Sequence, residues 1–127
     1  HEIPLTRRGN HYLVSAAING ASQLALVIDT GASITTVSKA RFSQIENTGF
    51  RYLGTQLFNT PNGMTQGEIY HADSIQLGEI KIADLEIAVL DFELSGGLDG
   101  LLGMNVLRNY RFEIDQDKEL LYMSPRL

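Results

Sequence analysis

An acid closes the most apolar run in the chain. Leu24-Ala25-Leu26-Val27-Ile28 leads directly into Asp29-Thr30-Gly31-Ala32-Ser33, and a strand that is oily along its whole length is normally buried. Asp29 is therefore either a turn residue at the surface, since Asp, Thr and Gly are ordinary turn formers, or a carboxylate held at the mouth of a core. Few other residues compete for a chemical role. The 127 residues include no cysteine, which excludes disulfides, thiolate nucleophiles and cysteine-ligated zinc. The histidines His1, His11 and His71 show no metal-ligand pairing, such as two four apart on a helix. Neither a metal nor another cofactor is expected.

The elements that must position Asp29 can be read on either side of it. Ile3 to Arg8 alternates loosely and reads as an edge strand, where Pro4 is tolerated. His11 to Ile18 and Ala21 to Ile28 are strand-like runs around Asn19-Gly20, a strong short-range hairpin signal, and this hairpin delivers Asp29 to its far end. Ile34 to Val37 is a short β-branched strand, and Ser38 can cap a brief helix reaching about Glu46, which Asn47-Thr48-Gly49 stops. From Phe50 to Val89 the chain reads as successive short strands broken by Gly, Asn and Pro, with turns at Asn59 to Gly63 and at Gly78-Glu79. After the loop Ser95-Gly96-Gly97, Leu101-Leu102-Gly103 is a second apolar pair closed by glycine, and Met104 to Asn109 favours a short helix. Tyr110 to Asp115 and Leu120 to Met123 form a closing hairpin around 116–119. The pattern is all-β, a small barrel or sandwich with one or two short helices, and the length points to a single domain over 1–127.

The net charge is −5 and the pI about 5.0, with ten basic residues scattered along the chain. No stripe of Lys or Arg could track phosphates, so a nucleic-acid partner is not expected. No apolar segment has the length to cross a bilayer and no signal-peptide pattern is present. The chain begins at His1 and is expected to be a fragment, with any targeting or anchoring segment upstream.

Three motifs in order resemble the retroviral-type (retropepsin-like) aspartic proteases: Val27-Ile28-Asp29-Thr30-Gly31-Ala32-Ser33, Pro61-Asn62-Gly63-Met64, and Leu101-Leu102-Gly103-Met104-Asn105-Val106-Leu107. The resemblance spans roughly Leu13 to Met123 and is similar to the single-domain bacterial branch, often periplasmic or membrane-anchored. It implies a small closed aspartic-protease barrel, a flap hairpin carrying Asn62, Gly63 and Met64 against substrate, and a peptide or protein substrate. It further implies that Asp29, Thr30 and Gly31 are catalytic, with Ala32 and Ser33 bordering the cleft and Ser33 contacting the Asp29 side chain. Ser33 resembles cellular members more than retroviral ones, which carry a second acid there.

Peptide hydrolysis of this kind uses two carboxylates that share one proton. None of Asp73, Asp84, Asp91, Asp99, Asp115 or Asp117 is followed by Thr-Gly or Ser-Gly after an apolar run, so the second is expected from a two-fold homodimer with Asp29 and its mate on the axis. Coupled carboxylates titrate as a pair, which predicts a bell-shaped pH dependence with an acidic or mildly acidic optimum. Two rival readings remain at this stage. One is a catalytically inactive peptide-binding or dimerisation module on the same fold, and the other is a small ligand-binding or structural β-barrel in which the motif matches are coincidental.

Overall fold

Leu5 divides the first run. The computed structural model describes residues 1–20, 23–45, 49–60, 63–92 and 97–126, and it contains two short strands, β1 (Glu2–Pro4) and β2 (Thr6–Arg8), where one edge strand was expected. Pro4 sits where its missing amide costs the ladder nothing, the Leu5 amide carries the β1–β11 pairing one step further to the Glu119 carbonyl at 2.9 Å, and Thr6 then faces Leu13 of the next strand. The two strands consequently join different sheets. Next come β3 (His11–Ile18) and β4 (Gln23–Ile28), the expected hairpin. Asn19 and Gly20 both have positive φ, 54° and 70°, the backbone that this dipeptide adopts readily. The pairing of Ala17 with Gln23 nevertheless leaves a longer connection than a two-residue turn.

β5 (Thr35–Ser38) follows, then α1 (Lys39–Phe42), whose N-cap Ser38 accepts a hydrogen bond from the Arg41 amide at 3.2 Å. The helix is shorter than expected. The 46–48 segment, Asn62 and the 95–96 part of the expected loop lie outside the described residues.

The region expected to hold many short strands is built instead from three long ones: β6 (Phe50–Thr60), β7 (Gly63–Leu77) and β8 (Ile80–Leu90). Gly54, at φ 140°, accompanies a register shift after Tyr52, so the break in pattern is a bulge within one strand. Gly78-Glu79 makes the expected two-residue turn, with Leu77 facing Ile80. The chain ends with β9 (Gly100–Leu102), α2 (Met104–Leu107), β10 (Tyr110–Asp115) and β11 (Leu120–Pro125).

Eight strands form one sheet in the order β2-β3-β4-β9-β5-β8-β7-β6, and β3 also pairs with β7. That last pairing closes six of them into a barrel, which removes most of the free edges an open sheet would leave. β9 is wedged between β4, to which it is parallel, and β5, to which it is antiparallel. The wedge is tight. A Cβ on Gly100 would run into the Thr36 carbonyl oxygen and stop 3.0 Å from Val37 Cα. β1, β11 and β10 make a separate three-stranded sheet whose Ile3, Leu121 and Met123 join Leu24, Leu26, Ile75, Leu77, Leu102 and Leu107 in one apolar core. Among the described residues no helix is long and apolar enough to cross a membrane.

Candidate active site

Strand alternation sends Leu24 and Leu26 into the core and Ala25 and Val27 to the outer face of the barrel. The outer face is not simply solvated. Leu13 pairs with Val27, Val27 with Leu101, Leu101 with Thr36, Thr36 with Ala88 and Ala88 with Ile69. Cross-strand partners share a face, so these six residues form a continuous row around the barrel. Five of them are 7% exposed or less, and Leu101 is half-buried. Asp29 follows Val27 by two positions and stands one step beyond this apolar row.

The loop that carries Asp29 is tied to the barrel at both ends. The Asp29 amide donates to the Leu102 carbonyl at 3.0 Å, its carbonyl accepts from the Ala32 amide at 3.2 Å, and the Ala32 carbonyl accepts from the Met104 amide at 2.8 Å. Inside the turn, the Gly31 amide donates to Asp29 Oδ1 at 2.9 Å. An Asp side chain that accepts from the backbone two residues on stabilises a tight turn and also fixes its own rotamer. Asp29 is half-buried, Ala32 likewise, while Thr30, Gly31 and Ser33 are exposed. Among the described residues the Gly31 amide supplies the hydrogen bond to the Asp29 carboxylate, and Ser33 makes no contact of the kind expected from it.

Beneath the loop lies a polar clasp. Asn105 Oδ1 accepts from both the amide and the hydroxyl of Thr35, each at 2.8 Å, and the Thr35 hydroxyl in turn accepts from the Gly103 amide at 3.1 Å. Asn105 Nδ2 donates to the Glu86 carbonyl at 2.8 Å. One side chain thereby joins β5, β8 and the start of α2. Thr35 is fully buried, and every polar group of its side chain is satisfied, the condition under which a buried network rigidifies its surroundings. Gly103 is required by closeness, since a Cβ there would lie 2.6 Å from the Ile34 carbonyl carbon and 2.9 Å from the Thr35 amide. Thr35 and Asn105 were not singled out in the sequence. The available signal was a lone polar residue, Asn105, inside Leu-Leu-Gly-Met-Asn-Val-Leu.

The expected flap segment is the tip of the β6–β7 hairpin. Thr60 faces Gly63, Asn59 faces Met64, and Thr60 Oγ1 donates to the Gly63 carbonyl at 2.7 Å. Gly63 has φ 101°, a backbone that favours glycine. Leu57 and Met64 are each 63% exposed. At the foot of the hairpin, a Cβ on Gly67 would strike Leu90 Cδ2 and come within 2.8 Å of Phe58 Cε2. Phe58 therefore lies across a glycine and against the barrel. Asp29 and this hairpin together account for the sequence-derived candidates, apart from Asn62. Among the described residues, no group of His, Asp and Glu is gathered so as to hold a metal ion.

Residues 14–109 match a family described as "gag-polyprotein putative aspartyl protease". The fold is similar to that of a retropepsin-like aspartic protease from Rickettsia conorii, with a TM-score of 0.67 and 28% sequence identity over 97% of this chain and 89% of that one. EIAV protease, solved in complex with the inhibitor HBY-793, shares the fold with a TM-score of 0.66 over 81% of this chain and 90% of that one, at 17% identity. Among curated proteins no sequence matches significantly.

Proposed function

Because the chain belongs to the retropepsin-like aspartic protease family, we propose that it is an aspartic endopeptidase whose active site is completed by a second copy of itself. The observation that carries this reading is Asp29, a half-buried acid pinned by the Gly31 amide at the rim of an apolar row. Each chain supplies one such acid, and the chemistry needs two.

In the dimer, the Asp29 carboxylates of two protomers share one proton, because like charges that close cannot both ionise. The ionised member takes a proton from a water molecule as its oxygen attacks the carbonyl carbon of the peptide. The protonated member gives its proton to the carbonyl oxygen. The resulting gem-diol collapses as the C–N bond breaks and the amine nitrogen takes up a proton, which leaves a carboxyl end and an amine end. The Gly31 amide keeps Asp29 Oδ1 oriented throughout. Thr30 is exposed and has its hydroxyl available for the partner loop. The row from Leu13 to Ile69 favours apolar side chains beside the scissile bond, and the β6–β7 hairpin is the element that closes over the bound peptide through Gly63 and Met64. The proposal extends to a location outside the cytoplasm, periplasmic or anchored to a membrane, which cell fractionation with an antibody to this domain would check.

Asp29→Asn should lower kcat on the order of 10³-fold or more with an unchanged circular dichroism spectrum. The dimer has its own test. Adding Asp29→Asn protein to wild type should reduce activity per wild-type chain, because mixed pairs hold one functional acid. Activity that is indifferent to both dilution and the added variant would show that one chain suffices.

A further inference from the structure

Beside the catalytic loop, the outer face of the barrel carries a cleft of about 410 Å³ whose wall includes Thr6, Arg8, Leu13, Ser15, Ala25 and Asp99. Ala25 and Asp29 lie on the same strand face, about 13 Å apart at ~3.3 Å per residue. A peptide that runs alongside β4 in extended form rises by the same amount, which brings the side chain about four positions from the scissile bond to this cleft.

The charge of the cleft is set by which of its groups are already engaged. Asp99 is the acid in the wall, and both of its oxygens are occupied. Oδ2 accepts from the Ala25 amide at 2.8 Å, and Oδ1 faces Arg41 Nε at 3.4 Å. Its side chain is 19% exposed, and its backbone is bound on both sides, to the Ala25 carbonyl and to the Ser38 amide. Asp99 is thus a clip that joins β4, β5 and α1, and Arg41 balances its charge. Arg8 is different. It is exposed and enters no ion pair among the described residues. A Cβ at Gly97 would lie 3.9 Å from Arg8 Nη1, so the guanidinium reaches across the cleft to the segment that leads into β9. The cleft therefore keeps one unbalanced positive charge on a chain whose net charge is −5.

We propose that Arg8 and this cleft form a subsite for a carboxylate, the side chain of an Asp or Glu in the substrate, about four residues from the bond that is cut. The inference rests on the protease reading above and adds a charge preference to it. A guanidinium matches a carboxylate in shape as well as charge through paired N–H donors. Arg8 is solvent-exposed, so the preference is a modest one and weakens with salt.

The test uses decapeptides identical except for Glu, Gln or Lys at one position, moved in turn through the four residues on each side of the scissile bond. Affinity is measured by fluorescence anisotropy on the intact Asp29→Asn protein, and cleavage is measured separately on the wild type. Glu should bind roughly three- to fivefold more tightly than Gln at one position, with Lys weakest, and 0.5 M NaCl should flatten the series. Arg8→Glu should reverse the order of Glu and Lys at that position, with its melting temperature reporting that the fold is intact. A Glu-to-Lys ratio that survives Arg8→Glu in a folded protein, or no charge preference at any position, overturns the subsite. Peptides that bind with the expected preference but are never cut by wild type would sink the protease reading and leave the subsite standing.

Discussion

The Asp29 loop and the β6–β7 hairpin are built on opposite principles. The Asp29 loop is tied at its base: the Asp29 amide bonds to Leu102 and the Ala32 carbonyl to Met104, above the clasp of Thr35, Asn105 and Gly103. Gly100 and Gly103 beneath it are required because neighbouring backbone leaves no room for a Cβ. The hairpin has a bulge near its foot, a glycine in left-handed geometry at its tip, and large apolar side chains in solvent. Among the described residues from Gly54 to Gly67 its strands pair only with each other, since β7 meets β8 from Glu68 onward. On the proposed reading, a carboxylate that meets its symmetry mate at hydrogen-bond distance benefits from a frame that cannot shift. A hairpin that closes over a peptide, as proposed for β6–β7, is drawn from the low-stability end of a fold.

The contrast can be broken most severely at Gly103. Gly103→Ala forces a methyl group into the Ile34 and Thr35 backbone and should cost about 2–3 kcal/mol, visible as a fall in Tm of ~10 °C. A neutral outcome would mean that the frame yields. Asn105→Ala removes the acceptor for two Thr35 donors and should cost about 2 kcal/mol. Because Thr35 also holds Gly103, it should lower kcat more than it raises KM, a split that simple destabilisation would not produce in folded enzyme. At the hairpin the expectation is reversed. Leu57→Ser with Met64→Ser should leave stability within about 0.5 kcal/mol while raising KM several-fold. If thermal stability falls as far as for Asn105→Ala, the hairpin is not the loosely held element described above.

The smallest effect belongs to Tyr70, near the base of the hairpin. Burial, and then the hydrogen bond to Glu68 at 3.1 Å, raise its phenol pKa above the ordinary 10.0. The protonated phenol is favoured in the folded chain, so this contribution is complete below pH 10 and disappears as pH rises through the folded value. Tyr70→Phe should change stability at pH 7 by about 0.5 kcal/mol and abolish an alkaline step in Tm measured between pH 9 and 12.

What could be read from sequence alone was local in origin. Asn19-Gly20, Gly78-Glu79 and the 116–119 turn each announce a reversal through residues adjacent in the chain, and the strands they join form as expected. The resemblance of Asp29-Thr30-Gly31 and Leu101-Leu102-Gly103 was also legible, because a carboxylate or a glycine at the end of an apolar run is conspicuous. Less visible was how those two stretches meet. Nothing around Gly100 indicates that it will be inserted in parallel beside Leu26, since parallel neighbours are brought together by the whole chain. Tertiary pairing also overrode the breaks between Phe50 and Leu90, where Gly54 marks a bulge rather than an end. Asp99 and Asn105 read as ordinary surface polar residues until their partners, 74 and 70 positions away, come into contact with them.

The insertion of β9 has a consequence in time. The strands that flank it, β4 and β5, lie close together in sequence, but the slot between them is filled from about seventy residues further on. Pairings of such long sequence separation carry a large loop-closure cost and form late. During synthesis, a chain that has reached the β6–β7 hairpin already contains Asp29 but has nothing for its amide to bond and no floor beneath Ala32. Assembly of the Asp29 loop thus waits for the last quarter of the polypeptide, and an unfinished chain carries the acid without the means to aim it.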